Sequence, residues 1–230
     1  MDKIFAIITA GGSGKRIGGK TKKQFQELCK RPLLFWTLDP FVSQKKIDRI
    51  IITLPQQEIG QYDLILRNEF PNCDLLTIVG GHERQDSVRK ALIACGEPDP
   101  DYVLIHDAVR PFITSQELVH LILEVKTKKA VIPVCRIKDT IKFIEKEQII
   151  KTLDRQKLYS ALTPQVFSYQ MIRKYHEKAF EQGLKFTDDA SILEHFGIPV
   201  HVRETSSLNF KITNPQDLKL AEIMLKNFWE

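Results

Sequence analysis

An unbroken apolar segment, Ile4-Phe-Ala-Ile-Ile-Thr9, runs straight into Ala10-Gly-Gly-Ser-Gly-Lys-Arg-Ile-Gly-Gly-Lys-Thr-Lys-Lys-Gln-Phe25. A short apolar run without polar alternation predicts a strand covered on both faces, as in the middle of a parallel sheet flanked by helices. Gly11, Gly12, Gly14, Gly18 and Gly19 then allow the backbone to turn and to approach a ligand closely. Lys15, Arg16, Lys20, Lys22 and Lys23 load the same loop with cations. Backbone N–H groups with flexible and planar cations beside them suit a polyphosphate. A solvated basic turn accounts for the charges but not for five glycines directly behind a buried strand.

Two common phosphate loops do not fit. The first glycine of a Walker A loop ending in Gly14-Lys15 falls on Thr9, and Arg16 stands where that loop carries its hydroxyl. In a dinucleotide fingerprint, Gly12-Ser-Gly14 requires a further glycine where Ile17 stands. The second strand, Ile50-Ile-Ile-Thr-Leu54, runs into Pro55 with no carboxylate for a ribose. Neither a P-loop ATPase nor a dehydrogenase is supported.

Strand and helix patterns alternate along the chain, which predicts an α/β fold with a Rossmann-like, doubly wound, mostly parallel sheet. Strands are expected over residues 47–54, 75–79, 102–105 and 130–134. Helices are expected over 32–38, where Pro40 should end or bend the helix, and over 59–68. Another should be capped by Asp86 and run to Ala94, with Gly96 closing it. Thr114 and Glu117 form a capping box for a helix bearing Leu118, Leu121, Ile122 and Val125. Asn214-Pro215 opens a final helix carrying Leu218, Ala221, Ile223, Leu225 and Phe228.

Residues 135–162 break this rhythm. Ile137 to Ile144 and Ile149 to Leu153 flank the polar turn Glu145-Lys-Glu-Gln148 and read as a long hairpin with no helix to cover it. A lone two-stranded hairpin is marginal in water and needs a partner surface. The organisation expected is therefore one domain over 1–230, with 135–162 as a protruding β-hairpin arm.

Hydrophobic residues make up 43% of the 230-residue chain, enough for a sizeable core, and no apolar run reaches transmembrane length. No charged leader with a cleavage site precedes the first strand, so a cytoplasmic location is expected and no membrane partner. Cys29, Cys73, Cys95 and Cys135 are dispersed, as buried thiols of a reducing compartment would be, and the six histidines lack metal-ligand spacing. The net charge of +5 is mild and concentrated at the glycine loop, favouring a small polyanion over nucleic acid.

The loop reads Ala-Gly-Gly-x-Gly-x-Arg with Lys23-Gln24 behind it. Further on come Gly80-Gly-His-Glu-Arg-Gln-Asp-Ser-Val88, His106-Asp-Ala-Val-Arg-Pro111, Asp139-Thr140, Asp154-Arg155, Ala161-Leu-Thr-Pro-Gln165, Thr187-Asp-Asp-Ala-Ser191 and Asn209-Phe-Lys-Ile-Thr213. In this order, over essentially the whole chain, they resemble the 2-C-methyl-D-erythritol 4-phosphate cytidylyltransferase family of nucleotidyltransferases. Two positions depart from the family pattern: Lys22 replaces a proline, and Asp189 replaces a glutamate.

The resemblance implies attack by a sugar-alcohol phosphate on the α-phosphorus of CTP, with Mg²⁺ carried mainly by the CTP phosphates. A phosphate monoester is largely dianionic near neutrality, so no strong general base is required. It also implies roles. Arg16 and Lys23 would stabilise the transition state, with Arg155 and Lys211 on the acceptor phosphate. Ala10, Gly11, Gly12, Gly14, Lys15, Gly81, Asp86 and Ser87 would contact the nucleotide, and Asp107, Arg110, Thr140 and Thr163 the acceptor. The arm would make a homodimer and reach the partner's site. Helix capping alone also explains Asp86 and Ser87. His106-Asp107 is not read as a proton-transfer dyad, because adjacent strand residues face opposite ways. A ribitol 5-phosphate cytidylyltransferase and a non-catalytic nucleotide sensor on the same fold are the competing readings.

Overall fold

The computed structural model describes residues 2–11 and 22–228. The glycine loop from Gly12 to Thr21, with the expected Gly14, Lys15 and Arg16, lies outside the described residues, as does Met1. In chain order the elements are β1 (Ile4–Thr9), β2 (Glu27–Leu28), β3 (Arg31–Pro32), α1 (Leu33–Val42), β4 (Arg49–Leu54), α2 (Ile59–Glu69), β5 (Leu75–Val79) and α3 (Arg84–Ile93). Then come β6 (Tyr102–Asp107), α4 (Ser115–Lys128), β7 (Ala130–Arg136), β8 (Lys142–Glu145), β9 (Gln148–Thr152), β10 (Tyr159–Ala161) and β11 (Gln165–Ser168). The chain closes with α5 (Tyr169–Glu181), α6 (Asp189–His195), β12 (His201–Glu204) and α7 (Pro215–Phe228).

β5, β4, β1 and β6 lie side by side and parallel, with β1 between β4 and β6. Side-chain alternation divides the core between the two faces. Ile4, Ala6, Ile8, Ile50, Ile52 and Leu104 pack against α1, α2 and α4. Phe5, Ile7, Ile51, Val103 and Ile105 pack against α3, α5 and α6. Both faces are therefore covered, the reason β1 reads as an uninterrupted apolar run. α7 builds a smaller cluster through Ala221, Met224 and Leu225 with Leu28, Leu33, Phe112 and Ile212. Ile223, expected on its apolar face, is exposed.

The parallel order breaks at β11, which the sequence pattern does not reveal. This strand inserts antiparallel between β6 and β7, while β10 pairs antiparallel with the far end of β7 and β12 pairs with β7 in parallel. Only four residues long, β11 offers too little sequence for a period to emerge. α1 also departs from expectation, because it starts at Leu33 and contains Pro40. The proline costs one backbone bond near the helix end, where Ser43 closes the last turn through its N–H and hydroxyl to the Asp39 carbonyl. Cys95 and Cys135 are buried as expected, but Cys29 and Cys73 are only half-buried.

The hairpin forms as β8 and β9, a separate two-stranded sheet. Its turn residues Lys146 and Glu147 both take positive φ, as a tight two-residue hairpin turn demands. Every residue of the two strands is exposed. Ile144 and Ile149 stand 56% and 62% accessible, so nothing among the described residues of this chain covers the arm's apolar side chains.

Candidate active site

Parallel register sets the site. Thr9 lies level with Thr53 on one side and Asp107 on the other, so three strand ends reach the carboxyl edge of the sheet together. Open α/β sheets bind ligands at this edge. Ala10 continues the ladder by donating its N–H to the Thr53 carbonyl, 3.0 Å away. The Thr9 hydroxyl turns inward to the His106 carbonyl at 3.2 Å.

Beyond the undescribed loop, the chain returns as a single 3₁₀ turn, Lys23–Phe25. The buried Gln24 amide donates to the Ala10 carbonyl, and Phe25 stacks on Tyr62 with ring centroids 3.7 Å apart. These contacts hold Lys23 close to the start of the glycine loop. Lys22 is committed elsewhere, with its Nζ 2.9 Å from Glu58 Oε2.

On the opposite flank, Gly11, Gly80 and Gly81 converge on Ser87. A Cβ on Gly80 would lie 3.0 Å from Ser87 Oγ, and one on Gly81 would lie 2.2 Å from the Asp86 Cβ. Glycine is thus required for this close approach. Ser87 Oγ accepts from the Gly81 N–H at 2.9 Å and donates to the Glu83 carbonyl at 3.1 Å. Asp86 is not the N-cap expected from sequence. It sits one turn inside α3, where its carboxylate accepts the Glu83 N–H, and Glu83 takes the cap.

His106 and Asp107 part as strand alternation requires. The His106 ring is fully buried against Phe41, with Nε2 3.1 Å from the Arg110 carbonyl and Nδ1 2.9 Å from the Thr163 hydroxyl. Burial pushes this imidazole down to about 4. Asp107 instead meets three cations: Arg84 Nε at 2.9 Å, Lys211 Nζ at 2.9 Å and Arg110 Nε at 3.3 Å. Burial alone would raise its pKa, but Arg84, Lys211 and Arg110 together hold it well below the usual carboxylate range.

Arg110 is itself pinned, donating to the Asn209 carbonyl at 2.9 Å. Thr163, expected at the acceptor, uses its hydroxyl to accept the Asp107 N–H at 3.2 Å while it contacts His106. Thr140 and Arg155 lie on the exposed arm, where Arg155 donates to the Lys138 carbonyl at 2.7 Å. Arg84 has no role assigned from sequence, although it lies within one of the motifs. The signal that marks it is a cation placed between Gly81 and Ser87, in a segment that ends beside an acidic strand end.

A sequence model of the 2-C-methyl-D-erythritol 4-phosphate cytidylyltransferase family matches residues 4–227. Proteins of that name from Endomicrobium trichonymphae and Clostridium perfringens are 36% and 39% identical to the chain, each over 98% of it and all of the relative. The crystal structure of the 4-diphosphocytidyl-2C-methyl-D-erythritol synthase of Anaerococcus prevotii superposes with a TM-score of 0.86 at 31% identity. It covers 98% of this chain, which in turn covers 99% of it.

The buried imidazole carries a pH prediction. Its folded pKa of about 4 lies below the ordinary 6.5, so between these values the unfolded chain binds the extra proton. The stability it confers is present above pH ~6.5 and is lost as pH falls towards ~4. Urea unfolding of the wild type should lose on the order of 2–3 kcal/mol more between pH 7 and 4.5 than that of His106→Gln. Parallel pH curves would show that the ring is not held neutral.

Proposed function

The chain belongs to the 2-C-methyl-D-erythritol 4-phosphate cytidylyltransferase family, and from that membership we propose that it transfers CMP from CTP to 2-C-methyl-D-erythritol 4-phosphate. The products are pyrophosphate and 4-diphosphocytidyl-2-C-methyl-D-erythritol, an intermediate of non-mevalonate isoprenoid biosynthesis. The observation that carries the reading is the family match over 4–227, which takes in every segment contributing to the crevice. We read 1–230 as one nucleotidyltransferase domain working in the cytoplasm, with 135–162 as its dimerisation arm.

A phosphate oxygen of the acceptor forms a bond to the α-phosphorus as the bond to the pyrophosphate oxygen breaks in line. The acceptor is already an anion, and His106, buried and engaged at both nitrogens, is not asked to act as a base. The chain's task is positioning and neutralising charge. Arg16 and Lys23 face the triphosphate in this reading. Ala10, Gly11, Gly12, Gly14 and Lys15 cradle the phosphates, while Gly81, Asp86 and Ser87 hold the base and ribose. Asp107, Arg110 and Lys211 form the acceptor side, with Thr163 keeping the Asp107 backbone in place.

When bound, Mg²⁺ would offset the negative charge of the CTP phosphates that carry it. Among the described residues no group of three His, Cys, Asp or Glu side chains could hold a metal, and Asp107 is committed to cations. In this reading the ion is carried by the nucleotide.

The arm supplies Thr140 and Arg155 to the acceptor phosphate of the partner subunit. Its exposed Phe143, Ile144, Ile149 and Ile150 support docking on a second copy.

Pyrophosphate release should require CTP among the four nucleoside triphosphates. It should proceed with 2-C-methyl-D-erythritol 4-phosphate and fall by orders of magnitude with ribitol 5-phosphate. The reverse acceptor preference would assign the chain to the ribitol enzymes, and no release with either would leave a nucleotide sensor.

Lys23→Ala should lower kcat roughly a hundredfold or more with little change in CTP binding, whereas Lys22→Ala should stay within a few-fold of wild type. A dead Lys22 variant beside an active Lys23 variant would reverse the assignment.

Arg16→Ala and Arg155→Ala homodimers should each be nearly inactive. Unfolded and refolded together, they should recover about a quarter of wild-type activity, because random pairing places both lesions in one site of half the dimers. A mixture as inactive as its parents would sink the shared site.

A further inference from the structure

Beyond the Asp107 carboxylate lies a second, deeper charge system that the proposed reaction does not use. Arg84, in the first turn of α3, spans two carboxylates: its Nε meets Asp107 Oδ1 at 2.9 Å and its Nη1 lies 2.8 Å from Asp189 Oδ2. Asp189, the first residue of α6, is 1% exposed, and its other oxygen lies 3.1 Å from Nε2 of the fully buried His176 of α5. Gln165 fixes the far end, its Oε1 accepting the N–H groups of Asp189 and Ala190, each at 3.0 Å. One guanidinium thus joins α3, the end of β6 and the α5–α6 layer.

The cost of this arrangement argues that it does more than hold the fold. Two carboxylates, a guanidinium and an imidazole are withdrawn from water, and similar volumes of apolar side chain often do as well or better for stability. Nor is the network satisfied: Arg84 Nη2, His176 Nδ1 and Asp189 Oδ2 are buried with no hydrogen-bond partner among the described residues, so Asp189 Oδ2 meets Arg84 as an ion pair only. What the bridge does achieve is geometric: a planar guanidinium with one nitrogen on each carboxylate, held from behind by Asp189, fixes where the Asp107 oxygen in front can sit. Asp107 has other cations, but Lys211 is 40% exposed on a flexible stem. Arg110 approaches from the same strand end at the longer distance of 3.3 Å.

We propose that Arg84 is a positioning residue of the cytidylyl transfer, holding the Asp107 carboxylate in register for the hydroxyl groups of the acceptor, with Asp189 and His176 anchoring Arg84 from behind. The inference rests on the acceptor site proposed above. Arg84 also stands three residues before Ser87 on the same helix, so the element that lines the nucleotide side sets the carboxylate on the acceptor side. Asp189 opens α6, so the anchor sits on that helix.

The test is a comparison of Arg84→Lys, Arg84→Gln, Asp189→Asn and Asp189→Glu, with Arg89→Gln as control. Arg89 is also partly buried on α3 and pairs with Glu177 at 3.0 Å, away from Asp107. Arg84→Gln and Asp189→Asn should raise the KM for 2-C-methyl-D-erythritol 4-phosphate roughly ten- to a hundredfold. KM for CTP should move less than about threefold. Arg84→Lys should recover little, because an ammonium cannot present a fork to two carboxylates, whereas Asp189→Glu should recover most of the loss. Arg89→Gln should leave both KM values near wild type at a similar loss of thermal stability. If Arg84→Gln does not fold, the two Asp189 variants decide the matter.

Equal losses for CTP and acceptor, or an acceptor KM unchanged while only Tm falls, would reduce Arg84 to a structural ion pair and overturn the proposal. Calorimetric titration of the acceptor onto CTP-loaded protein separates the two levels of the argument. An acceptor that binds wild type and all variants alike sinks the role of Arg84, and one that does not bind wild type sinks the acceptor site itself.

Discussion

A carboxylate that stays ionised while shut away from water is the constraint around which this site is arranged. Asp107 closes β6 at 5% exposure, where an unpaired anion would neutralise itself by taking up a proton. Arg84 from α3, Arg110 from the turn after β6 and Lys211 from the segment before α7 prevent that. Each arrives from a different part of the chain, so the sheet, α3 and the segment leading into the C-terminal helix are tied at one point. Among the described residues the two anions Asp107 and Asp189 face three cations, which leaves an excess positive charge beside the half-exposed Lys211. Such a site suits a phosphate-bearing acceptor and disfavours a neutral one.

The side proposed for the nucleotide rests on a different physical device, the removal of side chains. Gly11, Gly80 and Gly81 let three backbone segments meet around a single serine hydroxyl. The Ser87 proton goes to the Glu83 carbonyl, so this hydroxyl offers a ligand lone-pair capacity rather than a free donor. In the proposed function, rigid recognition here falls to backbone groups held by glycine packing and, on the proposed acceptor side, to ions; α3 borders both, carrying Arg84 in its first turn and Ser87 in its second.

Much of this arrangement is legible in the amino-acid sequence, and the reasons are physical. β1, β4 and β6 announce themselves because both their faces are covered, which writes an apolar run into the chain. The α4 capping box is readable because cap chemistry is local: Thr114 and Glu117 satisfy each other within one turn. The hairpin is readable from its missing cover. β11 is not, because an antiparallel strand inserted between β6 and β7 depends on long-range pairing that leaves no mark in four residues. Sequence alone starts α3 one turn too late, because both Glu83 and Asp86 are competent caps and the structure uses Glu83, with Asp86 completing the capping box from inside the helix. Arg84 stays silent for a related reason: its meaning lies in Asp107 and Asp189, residues far along the chain, and not in its neighbours.

Physical separation of His106 from Asp107 shows why motif chemistry has to be argued through geometry. Read as text, a histidine beside an aspartate suggests proton transfer. On a strand, one of the pair must turn to the helix layer, and here the imidazole goes under Phe41 and spends both nitrogens on the Arg110 carbonyl and the Thr163 hydroxyl. Those contacts bind the turn after β6 to the segment entering β11. Thr163 in turn accepts the Asp107 N–H, so the neutral ring fixes the backbone of the carboxylate whose side chain the cations fix. A protonated His106 would turn an N–H from Nδ1 onto the Thr163 oxygen, which already accepts the Asp107 N–H, so the Thr163 hydroxyl could no longer donate to the ring. Keeping the ring neutral therefore keeps this three-way contact intact, and His106 serves the Asp107 backbone as scaffold rather than as an acid or base.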